Sequence, residues 1–175
     1  MIKLYNFSPF SDEVLVPVLN LAKSSLPCHG NVIVKVTRGG WYVHSMARPC
    51  DYVSKAILSK TKKTKSGKNR KGWVNTDGGY VILSPGYYED SLLMATEFFK
   101  VAVHEFAHVR DFQRKEKFTG YNKRWKNRPH ERRAIHATDD TMEKVRKNSE
   151  IFETYNKVIL NLALEIEKTG IIKTR

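Results

Sequence analysis

The stretch HEFAH, residues 104–108, combines metal-binding residue types with a helical spacing. Positions four apart share one face of a helix, so His104 and His108 can both reach one ion. Glu105 lies about 100° round the helix, where its carboxylate can contact a water on that ion without binding the ion itself. The pattern favours a hydrolytic metal centre over the alternative, in which both histidines are hydrogen-bonded core residues.

The segment around HEFAH predicts a long, buried helix over Ser91–Gln113, with Asp90 or Ser91 as the N-cap. At about 100° per residue, its polar side chains fall on one seam: Glu97, Lys100, His104, His108 and Asp111. The rest of the circumference is almost wholly apolar, as in a helix buried on all sides. Because unpaired buried polar groups are costly, this seam must find partners elsewhere in the chain.

A catalytic zinc site needs a third protein ligand and an open fourth position. The segment RPHERRAIHATDD has Pro129 where a first-turn proline belongs, which predicts a helix. Glu131 stands in the middle of the apolar face of that helix, which contains Ala134, Ile135, Thr138, Met142 and Val145. A carboxylate there must be paired, protonated or bound to metal. We predict Glu131 as the third ligand and His130 as the reserve; the alternative for Glu131 is a buried salt bridge to an arginine.

A resemblance to the gluzincin branch of the zincin metallopeptidases covers three segments. They are Val101–Asp111, Arg128–Ala134 and the hairpin before the helix that contains HEFAH. In that branch, a His-Glu-x-x-His helix and a glutamate on a later helix hold one zinc ion. The resemblance implies a minimal zincin-like peptidase of the phage and prokaryotic type, with Glu105 as the general base. The zinc ligands that it implies are His104, His108 and Glu131.

The chain departs from related patterns at three positions. Asp111 and Arg114 stand where metzincins have a glycine and a third histidine, which disfavours that branch. Ile135 stands where the thermolysin-like pattern has an aspartate, four residues after the ligand glutamate.

The resemblance also implies a peptide or protein substrate, bound along an edge strand of the sheet by strand addition. Tyr80–Ser84 is the best match for that strand. The predicted substrate-binding residues are Tyr80, Val81, Ile82 and Leu83. An oxyanion-stabilising side chain is usual in zincins, and both Tyr121 and His130 are candidates.

The remaining patterns predict an α+β fold in one domain over residues 1–175. A helix is predicted over Ser11–Ser25, with Pro17 inside it. The β-prone run Asn31–Thr37 is predicted to pair with GWYVHSMA, residues 40–47, as a hairpin. Trp73–Ser84 is a predicted hairpin. We expect a small N-terminal antiparallel or mixed sheet packed on the active-site helix, followed by C-terminal helices, in the order helix, strands, three helices.

Positive charge dominates the composition, with a formal net charge of +13. Seven of the thirteen residues in Lys60–Gly72 are Lys or Arg and none is apolar, which predicts a flexible loop. Lys60–Lys71 is a candidate contact for an acidic protein or nucleic acid, although it lacks the interleaved aromatics of a nucleic-acid site. The alternative function is therefore a basic nucleic-acid-associated binding protein with a structural or absent metal site.

The chain lacks an apolar run of 18 residues and its first residues lack a signal-peptide pattern. We therefore expect no membrane contact and a cytoplasmic protein, in the host cytoplasm if it is phage-encoded. Cys28 and Cys50 are expected to be ordinary thiols.

Overall fold

A computed structural model of the chain describes residues 1–37, 72–75, 80–83, 90–117, 119, 123–124 and 127–169. Its elements in chain order are β1 (Ile2–Phe7), α1 (Asp12–Ser24), β2 (Val32–Thr37), β3 (Gly72–Asn75), β4 (Tyr80–Leu83), α2 (Ser91–Gln113), α3 (Pro129–Lys147) and α4 (Ser149–Lys168). The α+β class is confirmed.

The strands form one mixed sheet in the order β1-β2-β4-β3. β1, β2 and β4 run parallel, with Leu4 opposite Val34 and Val34 opposite Val81. β3 and β4 pair antiparallel, as the predicted hairpin requires. Parallel neighbours need a crossover connection, and α1 supplies it between β1 and β2.

The first strand is a correction to the predicted order, which began with a helix. β1 alternates between half-buried positions such as Ile2 and Leu4 and exposed positions such as Tyr5 and Phe7. Because apolar side chains occupy both faces, the usual alternation of apolar and polar residues is absent from this strand.

Several predictions fall on residues outside the described ranges. They concern the strand partner at 40–47, Cys50, the basic stretch Lys60–Lys71 and Tyr121. Cys28 is described and is buried, and burial raises the pKa of its thiol.

The long helix α2 lies at the centre of the protein and packs against α1, α3, α4, β3 and β4. Phe99 and Phe106 are completely buried on it, together with Ala102 and Val103. Asp90 caps its first turn, since its carboxylate accepts a 2.6 Å hydrogen bond from the backbone N–H of Leu93. The predicted bounds, cap and burial of this helix are all confirmed.

The other helices bury one face each against α2. In α1 the buried residues are Leu15, Val18, Leu19 and Ala22, and Pro17 lies within the helix. Pro129 begins α3, and the side chain of Asn148 caps α4. Among the described residues, no helix is long and apolar enough to cross a membrane.

Truncation of the core on α1 should destabilise the fold strongly. Leu19 is completely buried, so Leu19→Ala should lower the free energy of unfolding by about 2–5 kcal/mol. Leu160 is 52% exposed on α4, and Leu160→Ala should change it by less than about 0.5 kcal/mol. Urea denaturation followed by circular dichroism measures both, and equal effects would contradict the described core.

Candidate metal centre

Helix α2 places His104 and His108 one turn apart on the side that faces α3. Their ring centroids lie 4.8 Å apart with the rings perpendicular. The side chain of His108 is 5% exposed and that of His104 is 14% exposed. The two imidazoles therefore stand at the edge of the core, with His104 nearer the solvent.

The first turn of α3 brings the carboxylate of Glu131 to both rings. Its Oε2 atom lies 3.2 Å from Nε2 of His104 and 3.4 Å from Nε2 of His108. Together these residues offer three ligand atoms that all lie within 4.8 Å of one another. The structure thus brings together the three residues predicted as ligands, across 27 positions of sequence between His104 and Glu131.

Glu131 faces histidines rather than arginines. Its ion-pair partners in the described part of the chain are His104, His108 and His130, whereas Arg133 pairs with Asp111. Two positions along a helix turn a side chain by about 200°, which separates Arg133 from Glu131. The predicted alternative, a salt bridge from Glu131 to an arginine, is therefore wrong.

Electrostatics favour the protonation states that bind a cation. Burial by itself raises the pKa of Glu131, but hydrogen bonds from His104 and His108 outweigh it and lower that pKa to about 2. The N-terminal end of α3 also favours a negative charge in its first turn. Burial lowers the pKa of His108 against the opposing effect of Glu131. An ionised carboxylate and a neutral imidazole are the forms that bind a divalent metal.

The donor set is of a type that can hold zinc. Two imidazole nitrogens and one carboxylate oxygen form a ligand set found in catalytic zinc sites. Bonds of about 2.1 Å in a tetrahedral site place the ligand atoms about 3.4 Å apart. The two separations that involve Glu131, 3.2 and 3.4 Å, are close to that value, and all three atoms lie within 4.8 Å of one another.

His130, the reserve ligand, contacts the other oxygen of Glu131. Its Nε2 lies 3.4 Å from Oε1, and its ring centroid lies 5.7 Å from that of His108. It is 4% exposed, and burial lowers its pKa. The described residues place its ring nitrogens outside the group of three ligand atoms. His130 therefore contacts the oxygen of Glu131 that the other two histidines do not contact.

Glu105, the predicted general base, is 4% exposed on α2. It follows His104 directly, so helix geometry turns it about 100° from that ligand. This position separates it from the three ligand residues while keeping it on the same turn of the helix.

An ion pair between buried Asp111 and half-buried Arg133, which the sequence did not predict, joins α2 to α3 beside the cluster. Asp111 is 2% exposed, and its two oxygens accept 2.7 Å hydrogen bonds from Nη2 of Arg110 and Nε of Arg133. Asp111 follows His108 by three residues, and Arg133 follows Glu131 by two. The pair therefore fixes the register between the helices that carry the ligands. The predicted polar seam had shown that Asp111 needs a partner, without showing which residue supplies it.

The predicted substrate strand occupies another place in the sheet. Tyr80–Leu83 is strand β4, which pairs with β2 on one side and with β3 on the other. The expectation that it is an edge strand is wrong, because β3 covers the edge that strand addition would use. Among the described strands, β3 and β1 form the two edges.

Comparison with known proteins does not assign the chain to a group: no family model, curated protein or solved structure matches it.

Removal of the link between the two ligand helices should be measurable. Arg133→Gln removes a charged hydrogen bond to a buried carboxylate and should lower the free energy of unfolding by about 1–3 kcal/mol. Arg132 is the exposed neighbour, and Arg132→Gln should change stability by less than about 0.5 kcal/mol. Thermal unfolding compares the two variants. Equal stabilities would show that the hydrogen bond from Arg133 to Asp111 does not stabilise the fold.

Proposed function

We propose that the protein is a zinc-dependent peptidase of the zincin type. The observation that carries this proposal is the convergence of His104 and His108 on one oxygen of Glu131, within a buried interface between two helices. Glu105 beside the first histidine supplies the base that peptide hydrolysis needs. The geometry suits His104, His108 and Glu131 as the ligands.

Held by His104, His108 and Glu131, zinc would supply Lewis-acid chemistry, lowering the pKa of a water and polarising the carbonyl of the scissile peptide. Glu105 accepts the proton of that water and later delivers it to the leaving nitrogen. Because Glu105 is buried, bulk water has little access to its carboxylate and competes little for that proton. Asp111 and Arg133 keep α3 in register, so that Glu131 stays directed at the two histidines.

Among the described residues the cluster has three candidate ligands, and three protein ligands would leave a fourth position for water or substrate. This arrangement favours a catalytic site. The second candidate function is a basic binding protein with a closed, structural zinc site. The position of His130 favours it, because this third buried imidazole contacts Glu131 and is a further candidate ligand beside the cluster.

The substrate in this proposal is a peptide or protein in the cytoplasm. Since β4 pairs with a strand on each side, we assign peptide binding by strand addition to the outer edge of β3, Gly72–Asn75. This strand packs against α2. The net charge of +13 favours acidic protein partners by raising their rate of encounter.

The role of Glu105 is tested by Glu105→Gln, which keeps the size of the side chain and removes its basicity. Casein cleavage by the zinc-loaded variant should fall by a factor of about 10²–10⁴. Zinc content, measured by mass spectrometry, should stay at the wild-type level.

Glu143→Gln is the matched control, because the side chain of Glu143 is 59% exposed on α3 and pairs there with Lys147. It should retain both zinc and activity. A Glu105→Gln protein that cleaves casein at the wild-type rate would overturn the assigned role. A wild-type protein that takes up no zinc after supplementation would overturn the peptidase proposal.

A further inference from the structure

We propose that the outer face of the sheet binds single-stranded nucleic acid. The described part of this face, called here the lysine–aromatic face, consists of Lys3, Tyr5 and Phe7 on β1 with Ile33 and Lys35 on β2. The proposal is independent of the metal centre, which lies between α2 and α3.

Two aromatic rings are exposed on β1 while the opposite side of the strand faces the core. Tyr5 is 40% exposed and Phe7 is 54% exposed, whereas Ile2 and Leu4 pack against the buried cluster. Residues two apart on a strand share a face and lie about 7 Å apart along it. The two rings can therefore stack on two neighbouring bases of one strand, since every base offers a π-face.

Each exposed ring has an ammonium group beside it. Nζ of Lys3 lies 5.2 Å from the centroid of Tyr5, and Nζ of Lys35 lies 4.7 Å from that of Phe7. Lys35 is opposite Tyr5 in the register of the two strands, so cations alternate with rings across this face. A base that stacks on a ring moves the ammonium aside, towards the adjoining phosphate.

The charge of the chain supports a polyanionic ligand. The net charge is +13, and the basic stretch Lys60–Lys71 directly precedes β3, a strand of the same sheet. That stretch lacks aromatic residues. The lysine–aromatic face supplies the stacking groups that an ssDNA- or ssRNA-binding surface combines with positive charge.

A duplex fits this face less well than a single strand. Paired bases are stacked on one another and leave no π-face for Tyr5 or Phe7. A duplex would therefore use the lysines alone, whereas a single strand uses the lysines and the rings. This difference separates the proposed ligand from general attraction between a basic protein and nucleic acid.

The test is fluorescence anisotropy of a labelled oligothymidylate of about 16 nucleotides, within the range that one binding module covers. Full-length wild-type protein should bind it more tightly than a duplex of equal length. Tyr5→Ala and Phe7→Ala should each weaken binding about fivefold or more, as expected for loss of one stacked base. Lys3→Ala should reduce the salt dependence, with the magnitude of the slope of log K against log salt falling by about 0.7.

Phe152→Ala is the matched control, because Phe152 is 43% exposed on α4, away from the sheet. It should bind the oligonucleotide like the wild type. Unchanged affinity in both Tyr5→Ala and Phe7→Ala, equal affinity for duplex and single strand, or no binding by the wild type would each overturn the proposal. Ring-dependent binding to anionic vesicles but not to the oligonucleotide would identify a membrane surface instead.

Discussion

The burial of charged and polar side chains between α2 and α3 is the constraint on which the rest of this structure depends. Glu131 and His108 lie in a packed interface, where a carboxylate without partners would be expensive. Their mutual contacts satisfy part of that requirement and at the same time bring together three side chains that could hold a metal ion. The contacts that offset the cost of burying these side chains are thus the ones that bring the three candidate ligands together.

This interface needs a rigid frame, and the described elements provide one. α2 is enclosed by three helices and two strands, so its histidines have little freedom to move. Asp111 adds a second buried contact between α2 and α3 through Arg133. Two fixed points along the same pair of helices, the histidine–glutamate cluster and this ion pair, prevent the helices from sliding past each other.

Local patterns were sufficient to predict which three residues come together in the cluster. HEFAH is a helical motif, and the position of Glu131 on an apolar face showed that it needed partners, so all three residues of the cluster were found from the sequence. The pairing of Asp111 with Arg133 was missed, because the periodicity of one helix does not specify which charge on another will meet it. The place of Tyr80–Leu83 in the sheet was wrong for a similar reason: strand order depends on pairings between distant segments. β1 was missed because Tyr5 and Phe7 place large aromatic rings on its exposed side, where an amphipathic strand usually has polar residues.

The central claim is that His104, His108 and Glu131 hold a zinc ion with an open fourth position. X-ray absorption at the zinc K-edge of the zinc-loaded protein tests it most directly, since it counts the imidazoles around the metal. We predict two imidazole nitrogens about 2.0–2.1 Å from the zinc and oxygen ligands about 2.0–2.2 Å from it. The His130→Ala variant should give the same ligands and distances. A third imidazole that disappears in His130→Ala would show a closed structural site, and a protein that binds no zinc would contradict the metal centre itself.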